Sequence, residues 1–235
     1  MSSPVPELLY DCADFVALSK PTGISFLRDR SGADCLWDVL PQTLGGKPYQ
    51  VHRLDKGTSG VLLVARNAEA QKRLSNQFLT RSVRKYYLCW VVGNLTQRGL
   101  INLPLKKGRK SRYRVAGNRS DIVCSEAGWQ LAVPGSEGLD SQTRIRPLLC
   151  HDQRTLVLAQ PRTGRSHQLR VHLSWIGYPI IGDHLYGKPA DPNQQASRLQ
   201  LHCHRLVLPG IGSYRAPVPV SEWLPVPVAA SELVS

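Results

Sequence analysis

His52-Arg53-Leu54-Asp55-Lys56-Gly57-Thr58-Ser59-Gly60 isolates one carboxylate among cations. From Val39 to Ala68, Asp55 is the only acidic residue, while Lys47, Arg53, Lys56 and Arg66 surround it in sequence. In an extended entry to this stretch, Arg53 and Asp55 point to the same face, because side chains alternate along a strand. Gly57 and Gly60 permit a tight turn and a close approach of backbone to a ligand. A lone Asp beside Arg can serve as a nucleophile or a base. On residue chemistry alone, a surface ion pair beside a turn competes with that reading.

Working outward, 235 residues with 42% hydrophobic content can bury a real core. The net charge of +13 and pI near 9.8 call for an anionic partner: nucleic acid, an anionic membrane or an acidic protein. The six cysteines (12, 35, 89, 124, 150 and 203) form no CxxC pair, so neither a zinc site nor a disulfide framework is expected. Free thiols in a reducing cytoplasm follow from that spacing. Met1–Pro6 lacks the layout of a signal peptide. GxxxxGK[ST], GxGxxG and DxD-like metal clusters are absent, so no nucleotide, flavin or metal is expected. Ser59, in Gly57-Thr58-Ser59-Gly60, is not in a GxSxG elbow.

Local patterns predict a loose arm over residues 1–9, then a strand at Phe15–Leu18 stopped by Lys20-Pro21-Thr22-Gly23. Cys35, Leu36 and Val39 sit at helical spacing in a segment that Pro41 should close. Val61–Val64 reads as a buried strand. Asn67 should cap a helix presenting Ala70, Leu74 and Phe78 on one face. Tyr86–Val92 and Thr155–Ala159 read as strands, and residues 125–154 as a hairpin with a long connection. Leu169, Leu173 and Ile176 trace a helical stripe that Gly177 stops. Arg98–Arg119 carries eight Lys/Arg and no acid, with Gly and Pro residues that favour a loop or β-ribbon. Its Lys106, Lys107, Arg109, Lys110 and Arg112 are candidate contacts for a nucleic-acid backbone, should the anionic partner be one. His202 and His204 share a strand face, but without a third ligand a structural role is expected. The tail from Ala216 to Val228 is proline-rich and extended. Mixed strands and helices without a βαβ rhythm indicate an α+β fold.

The nine opening residues resemble the HRLDxxTSG signature of the RluA-type pseudouridine synthases. Further family marks follow in order: Lys20-Pro21-Thr22-Gly23, Lys85-Tyr86-Tyr87, Thr163–His172, Gly177–Asp183, Leu185-Tyr186-Gly187 and Leu201–Leu206. The resemblance runs from about residue 10 to about residue 225. It implies a pseudouridine synthase fold: a mixed, largely antiparallel sheet flanked by helices, with the active cleft across it. It also implies one catalytic domain over residues 1–235, with no S4-type RNA-binding module.

By this resemblance Asp55 is the catalytic residue of an enzyme that detaches uracil from ribose C1′, rotates it and rejoins it through C5. Attack on C1′ and removal of the C2′ proton both remain open. The resemblance gives Arg165 as the ion-pair partner of Asp55, Tyr87 as the platform for an extruded base, and Leu169 as a wall of the base pocket. Arg53 and Arg170 are divided between phosphate contact and structural pairing. The expected substrate is a uridine in tRNA or ribosomal RNA, handled by a cytoplasmic monomer with no cofactor, metal or obligate protein partner. The alternative is a non-catalytic RNA-binding or ribosome-assembly factor on the same fold.

Overall fold

The chain opens with β1 (Glu7–Asp11), which pairs antiparallel with β2 (Phe15–Lys20). This computed structural model describes residues 6–28, 32–109, 112–133, 137–187 and 196–225. Two compact units divide the chain: Met1–Lys85 with His202–Val218, and Tyr86–Leu201 with Pro219–Ser235. In the first unit β2 leads through a turn to α1 (Leu36–Leu44), β3 (Tyr49–Gln50), β4 (Ser59–Ala65) and α2 (Ala68–Leu79). β4 pairs antiparallel with both β2 and β3. Every residue of β4 is buried, which explains its unbroken apolar run: a strand covered on both faces has no polar side to show. Val16, Leu18, Leu62 and Val64 form one face with Leu36, Leu40 and Leu44 of α1, spaced one helical turn apart. α2 packs on β3 and β4, with Ala70 and Leu74 buried. It starts where Asn67 Oδ1 accepts the Ala70 N–H at 2.8 Å, the expected cap.

Two expectations need correction here. Residues 7–9 are not a loose arm but part of β1, whose side chains are largely exposed. Backbone bonds to the edge of β2 hold this strand, and they leave no hydrophobic pattern in the sequence. Pro41 does not close α1; the helix runs through it to Leu44 and ends at Gly45 in the left-handed conformation. The proline removes one backbone donor. Burial of Leu36, Leu40 and Leu44 along one stripe outweighs that loss.

The second unit carries a sheet in the order β5 (Arg84–Val92), β12 (Arg154–Pro161), β11 (Gln142–His151), β6 (Gly99–Asn102), β10 (Gly128–Leu131) and β9 (Ile122–Ser125). All neighbours are antiparallel except β6 and β10. β7 (Leu105–Lys107) and β8 (Tyr113–Val115) form a separate ribbon, as the basic segment suggested. α3 (Gln168–Trp175) covers one sheet face. Leu169 and Leu173 join Cys89, Val91, Ile101, Ile145, Val157 and Ala159 in a single core, and Tyr87 packs on its edge. Tyr87, Cys89 and Val91 therefore share a face, as the two-residue repeat requires. The fold is α+β, with mixed sheets and three helices among the described residues. No helix of the described residues is long and apolar enough to cross a membrane.

The chain returns to the first unit as β13 (Leu201–Leu208) and β14 (Gly212–Arg215), which pair antiparallel. β13 lies parallel to β4, with Cys203 opposite Gly60. A Cβ on Gly60 would stand 2.2 Å from the Cys203 carbonyl oxygen, and Gly60 has φ +112°. Glycine is required there by both backbone shape and space. Gly60→Ala should cost on the order of 3 kcal/mol from overpacking plus strain. Gly45→Ala, left-handed but open, should cost only about 1 kcal/mol. Denaturant midpoints of the two variants check the contrast.

Candidate active site

Asp55 sits half-buried in a turn between β3 and β4, closed by the Thr58 N–H donating to the Asp55 carbonyl at 3.0 Å. This turn is fastened to the Lys20–Gly23 turn at the end of β2. The Lys20 side chain is wholly buried, and its ammonium donates to the carbonyls of Pro21 (2.8 Å), Ile24 (2.9 Å) and Lys56 (3.4 Å). The Gly23 N–H also donates to the Lys56 carbonyl, at 2.9 Å, and the Thr22 hydroxyl to the Gly57 carbonyl at 2.8 Å. The backbone just after the carboxylate, at Lys56 and Gly57, is thus held from the turn that ends β2. Arg53 and Lys56, one on each side of Asp55, are exposed and line an open cleft of about 500 Å3 with Phe26, Leu27 and Arg28.

His52 and Ser59, at the two ends of the motif, are committed to the fold. His52 Nε2 accepts the Leu63 N–H at 3.0 Å, and its ring stacks on Phe78 at 4.5 Å. Removal from water, with the Lys85 charge second, holds its pKa down to about 3, so this histidine is neutral. Ser59 and His202 form a buried pair at 2.8 Å. His202 Nε2 lies 3.0 Å from the Ala216 carbonyl and must donate to it, which leaves Nδ1 to accept the Ser59 hydroxyl. A serine so enclosed meets no substrate. His204 Nδ1 reaches the same Ala216 carbonyl at 3.0 Å, so both histidines face backbone on the strand they share.

In the second unit the Thr163–His172 motif builds one polar network beneath its loop. Gln168 Oε1 accepts the Thr163 hydroxyl (2.6 Å) and the Arg165 N–H (3.0 Å). Its Nε2 donates to the Gln142 carbonyl (2.9 Å) and to Thr143 Oγ1 (3.0 Å). Every hydrogen-bonding position of that amide is used. His172 continues the chain: Nε2 donates to the Leu103 carbonyl and Nδ1 accepts from Thr143, both at 2.9 Å. Burial brings the His172 pKa down to about 4. This network fixes the backbone that presents Arg165, whose Nε donates to the Asp140 carbonyl at 3.1 Å.

Arg170 settles between its two readings. It makes a bidentate pair with Asp183 at 2.8 and 2.7 Å, with the side chains 10% and 1% exposed, so it braces the fold and does not meet a phosphate. Asp183 also accepts the N–H groups of Leu185 and Tyr186. Leu169 is buried in the core on whose edge Tyr87 packs, so those two candidates belong to one cluster. Of the basic candidates, Lys106 pairs with Glu137 at 2.6 Å, Lys107, Arg109 and Arg112 are exposed, and Lys110 lies outside the described residues. The buried lysine at position 20, the enclosed Ser59–His202 pair and the Gln168 network were not read from sequence. Their motifs stood out there, but nothing in a sequence marks a lysine as buried.

Residues 14–175 match the family model for RNA pseudouridylate synthase. An uncharacterized RNA pseudouridine synthase of Zymomonas mobilis is 34% identical over 97% of this chain and 96% of its own. A dual-specificity RNA pseudouridine synthase of Yersinia pestis is 35% identical, over 86% of this chain and 91% of its own. Among solved structures, human RNA pseudouridylate synthase domain containing 4 superposes with a TM-score of 0.74 at 25% identity, covering 90% of this chain and 88% of that one.

Lys20→Met removes the shared donor and leaves buried carbonyls without it. Stability should fall by about 2–4 kcal/mol in denaturant melts. The two neutral histidines also set an acid limit. Both have folded pKa values below the ordinary 6.5, so the unfolded chain binds more protons as pH falls below that value. Stability is therefore full above pH 6.5 and declines on acidification toward pH 4, at up to about 1.4 kcal/mol per pH unit for each histidine. His172→Gln should flatten the slope measured across that window.

Proposed function

The chain belongs to the RNA pseudouridylate synthase family, whose enzymes isomerise uridine to pseudouridine in RNA, and from that premise we propose that Asp55 is the carboxylate acting on the target nucleotide. The observation that carries this assignment is local. Asp55 is half-buried on a turn closed by the Thr58 N–H and held through the Lys56 and Gly57 carbonyls, flanked by two cations that line a cleft. A carboxylate so held keeps its place while the bond between N1 and C1′ breaks. It then either attacks C1′ or takes the C2′ proton, and both routes need one anchored carboxylate rather than a relay. Closure through C5 forms the new C–C bond as the Asp55–C1′ bond breaks or, on the other route, as Asp55 returns the proton to C2′; the C5 hydrogen leaves as a proton while N1 gains one. The reaction is an isomerisation and consumes no cofactor.

The substrate-binding roles follow the family motifs. Arg165, on its Gln168-supported loop, is the cation assigned to the catalytic carboxylate. Tyr87 is the platform for the extruded base, and Leu169 the apolar wall beside it, in keeping with their shared cluster. Arg53 contacts phosphate from the cleft rim. Lys106, Lys107, Arg109, Lys110 and Arg112 contact the RNA backbone. Residues 1–235 act as a single catalytic domain, as a monomer in the cytoplasm, on a uridine of tRNA or ribosomal RNA.

Release of tritium from C5-labelled uridine in tRNA and ribosomal RNA tests the assignment, since closing the C5 bond expels that hydrogen. Asp55→Asn should lower turnover at least about 10^4-fold, to background, while RNA affinity and unfolding midpoint stay within about twofold and about 1 kcal/mol of wild type. Turnover by Asp55→Asn close to wild type would remove Asp55 from the chemistry.

A further inference from the structure

A second cleft, of about 400 Å3, opens in the second unit beside the β7–β8 ribbon and the C-terminal end of α3. Arg109, Arg112, Arg114 and Arg119 line it with Trp175 and Tyr186, and no carboxylate is among the described residues that line it. None of the residues assigned to the uridine (Asp55, Arg53, Tyr87, Arg165 and Leu169) lines it either. Glu137, which pairs with Lys106, stays outside it.

Part of this cleft is built in advance. Arg119 donates to the Ser174 carbonyl at 2.8 Å, and its guanidinium lies 5.0 Å from the centre of the Trp175 ring, so one cation is already ordered against an aromatic face. The Tyr186 hydroxyl accepts the Tyr113 N–H at 2.9 Å and meets His167 Nδ1 at 2.7 Å. That hydroxyl ties the ribbon to the residue just before α3. His167 itself has φ +55°, a left-handed conformation costly for a non-glycine residue and one that its contacts sustain. The other three arginines are exposed.

Guanidinium groups bind phosphate in a bidentate manner and stack on bases, and aromatic rings accept unpaired bases whatever their sequence. A volume of this size accommodates about one nucleotide. Building on the reading above, we propose that this cleft docks a single-stranded RNA segment other than the target uridine. Its phosphates lie on Arg109, Arg112 and Arg114, and a base lies against the Trp175–Tyr186 side. Affinity for the whole RNA then depends on a contact separate from the one that performs the chemistry.

The test uses the full chain and a transcribed tRNA, with Kd measured over a salt series for wild type and Arg109→Gln/Arg112→Gln. Loss of two phosphate contacts should lower the slope of log K against log salt by about 1.4–1.8 and raise Kd roughly tenfold at fixed salt. Arg109→Lys/Arg112→Lys, which keeps the charge, should restore most of the slope. In tritium release the Gln variant should raise KM with kcat retained. An unchanged slope and Kd overturns the proposal. A fall in kcat without a change in KM overturns it too, because the arginines would then belong to the reacting centre. If wild type releases no tritium from this tRNA while the slope still shifts, the reading of tRNA as substrate fails and the docking cleft stands.

Discussion

The buried ammonium of Lys20 is the constraint on which the placement of the Asp55 turn rests. It donates to carbonyls of its own turn and to the carbonyl of the residue following Asp55. A lysine with no exposed surface is costly unless its donors are satisfied, and here three carbonyls satisfy it. In return, two turns that are 35 residues apart in sequence behave as one piece. The Asp55 turn inherits the rigidity of β2, which is itself locked to the fully buried β4. Gly60 completes the arrangement, because it lets β13 lie directly against the start of β4.

The second unit reaches the same end by another route. Gln168 uses both lone pairs and both amide hydrogens to fix the 163–165 backbone. Thr143 and His172 carry the bonding on to β6's neighbour Leu103. A fully satisfied buried network of this kind specifies one conformation, and the loss of any member leaves the rest unpaired. Arg170 and Asp183 add a buried pair of the sort whose removal by halves is severe. The motif that looks catalytic in sequence is therefore mostly support, with Arg165 as the residue it presents.

Legibility in the sequence followed physical mechanism closely. The Asn67 cap, the β4 core run, the α3 stripe and the basic ribbon each leave a local signal, and each was found where that signal lay. β1 leaves no such signal, because an edge strand held by backbone bonds needs no side-chain pattern. The end of α1 is not legible, because the local effect of Pro41 is outweighed by a tertiary gain that the sequence does not display. In the sites, residue identity was legible and environment was not. Arg170 could have met a phosphate or an acid, and only burial beside Asp183 decides between them. Ser59 and His202, 143 positions apart, could not have been paired from spacing.

On the proposed reaction, the anchored Asp55 carboxylate meets the sugar of an extruded uridine. The most direct measurement is a crystal structure of the protein bound to substrate RNA carrying 5-fluorouridine at the modified position. Fluorine stands in place of the C5 hydrogen that must leave as a proton, and should hold the nucleotide in the site. The account predicts an Asp55 carboxylate oxygen bonded to C1′, or within about 3.5 Å of C1′ or C2′. A fluorouridine seated with its sugar well away from Asp55, against a different carboxylate, would contradict it.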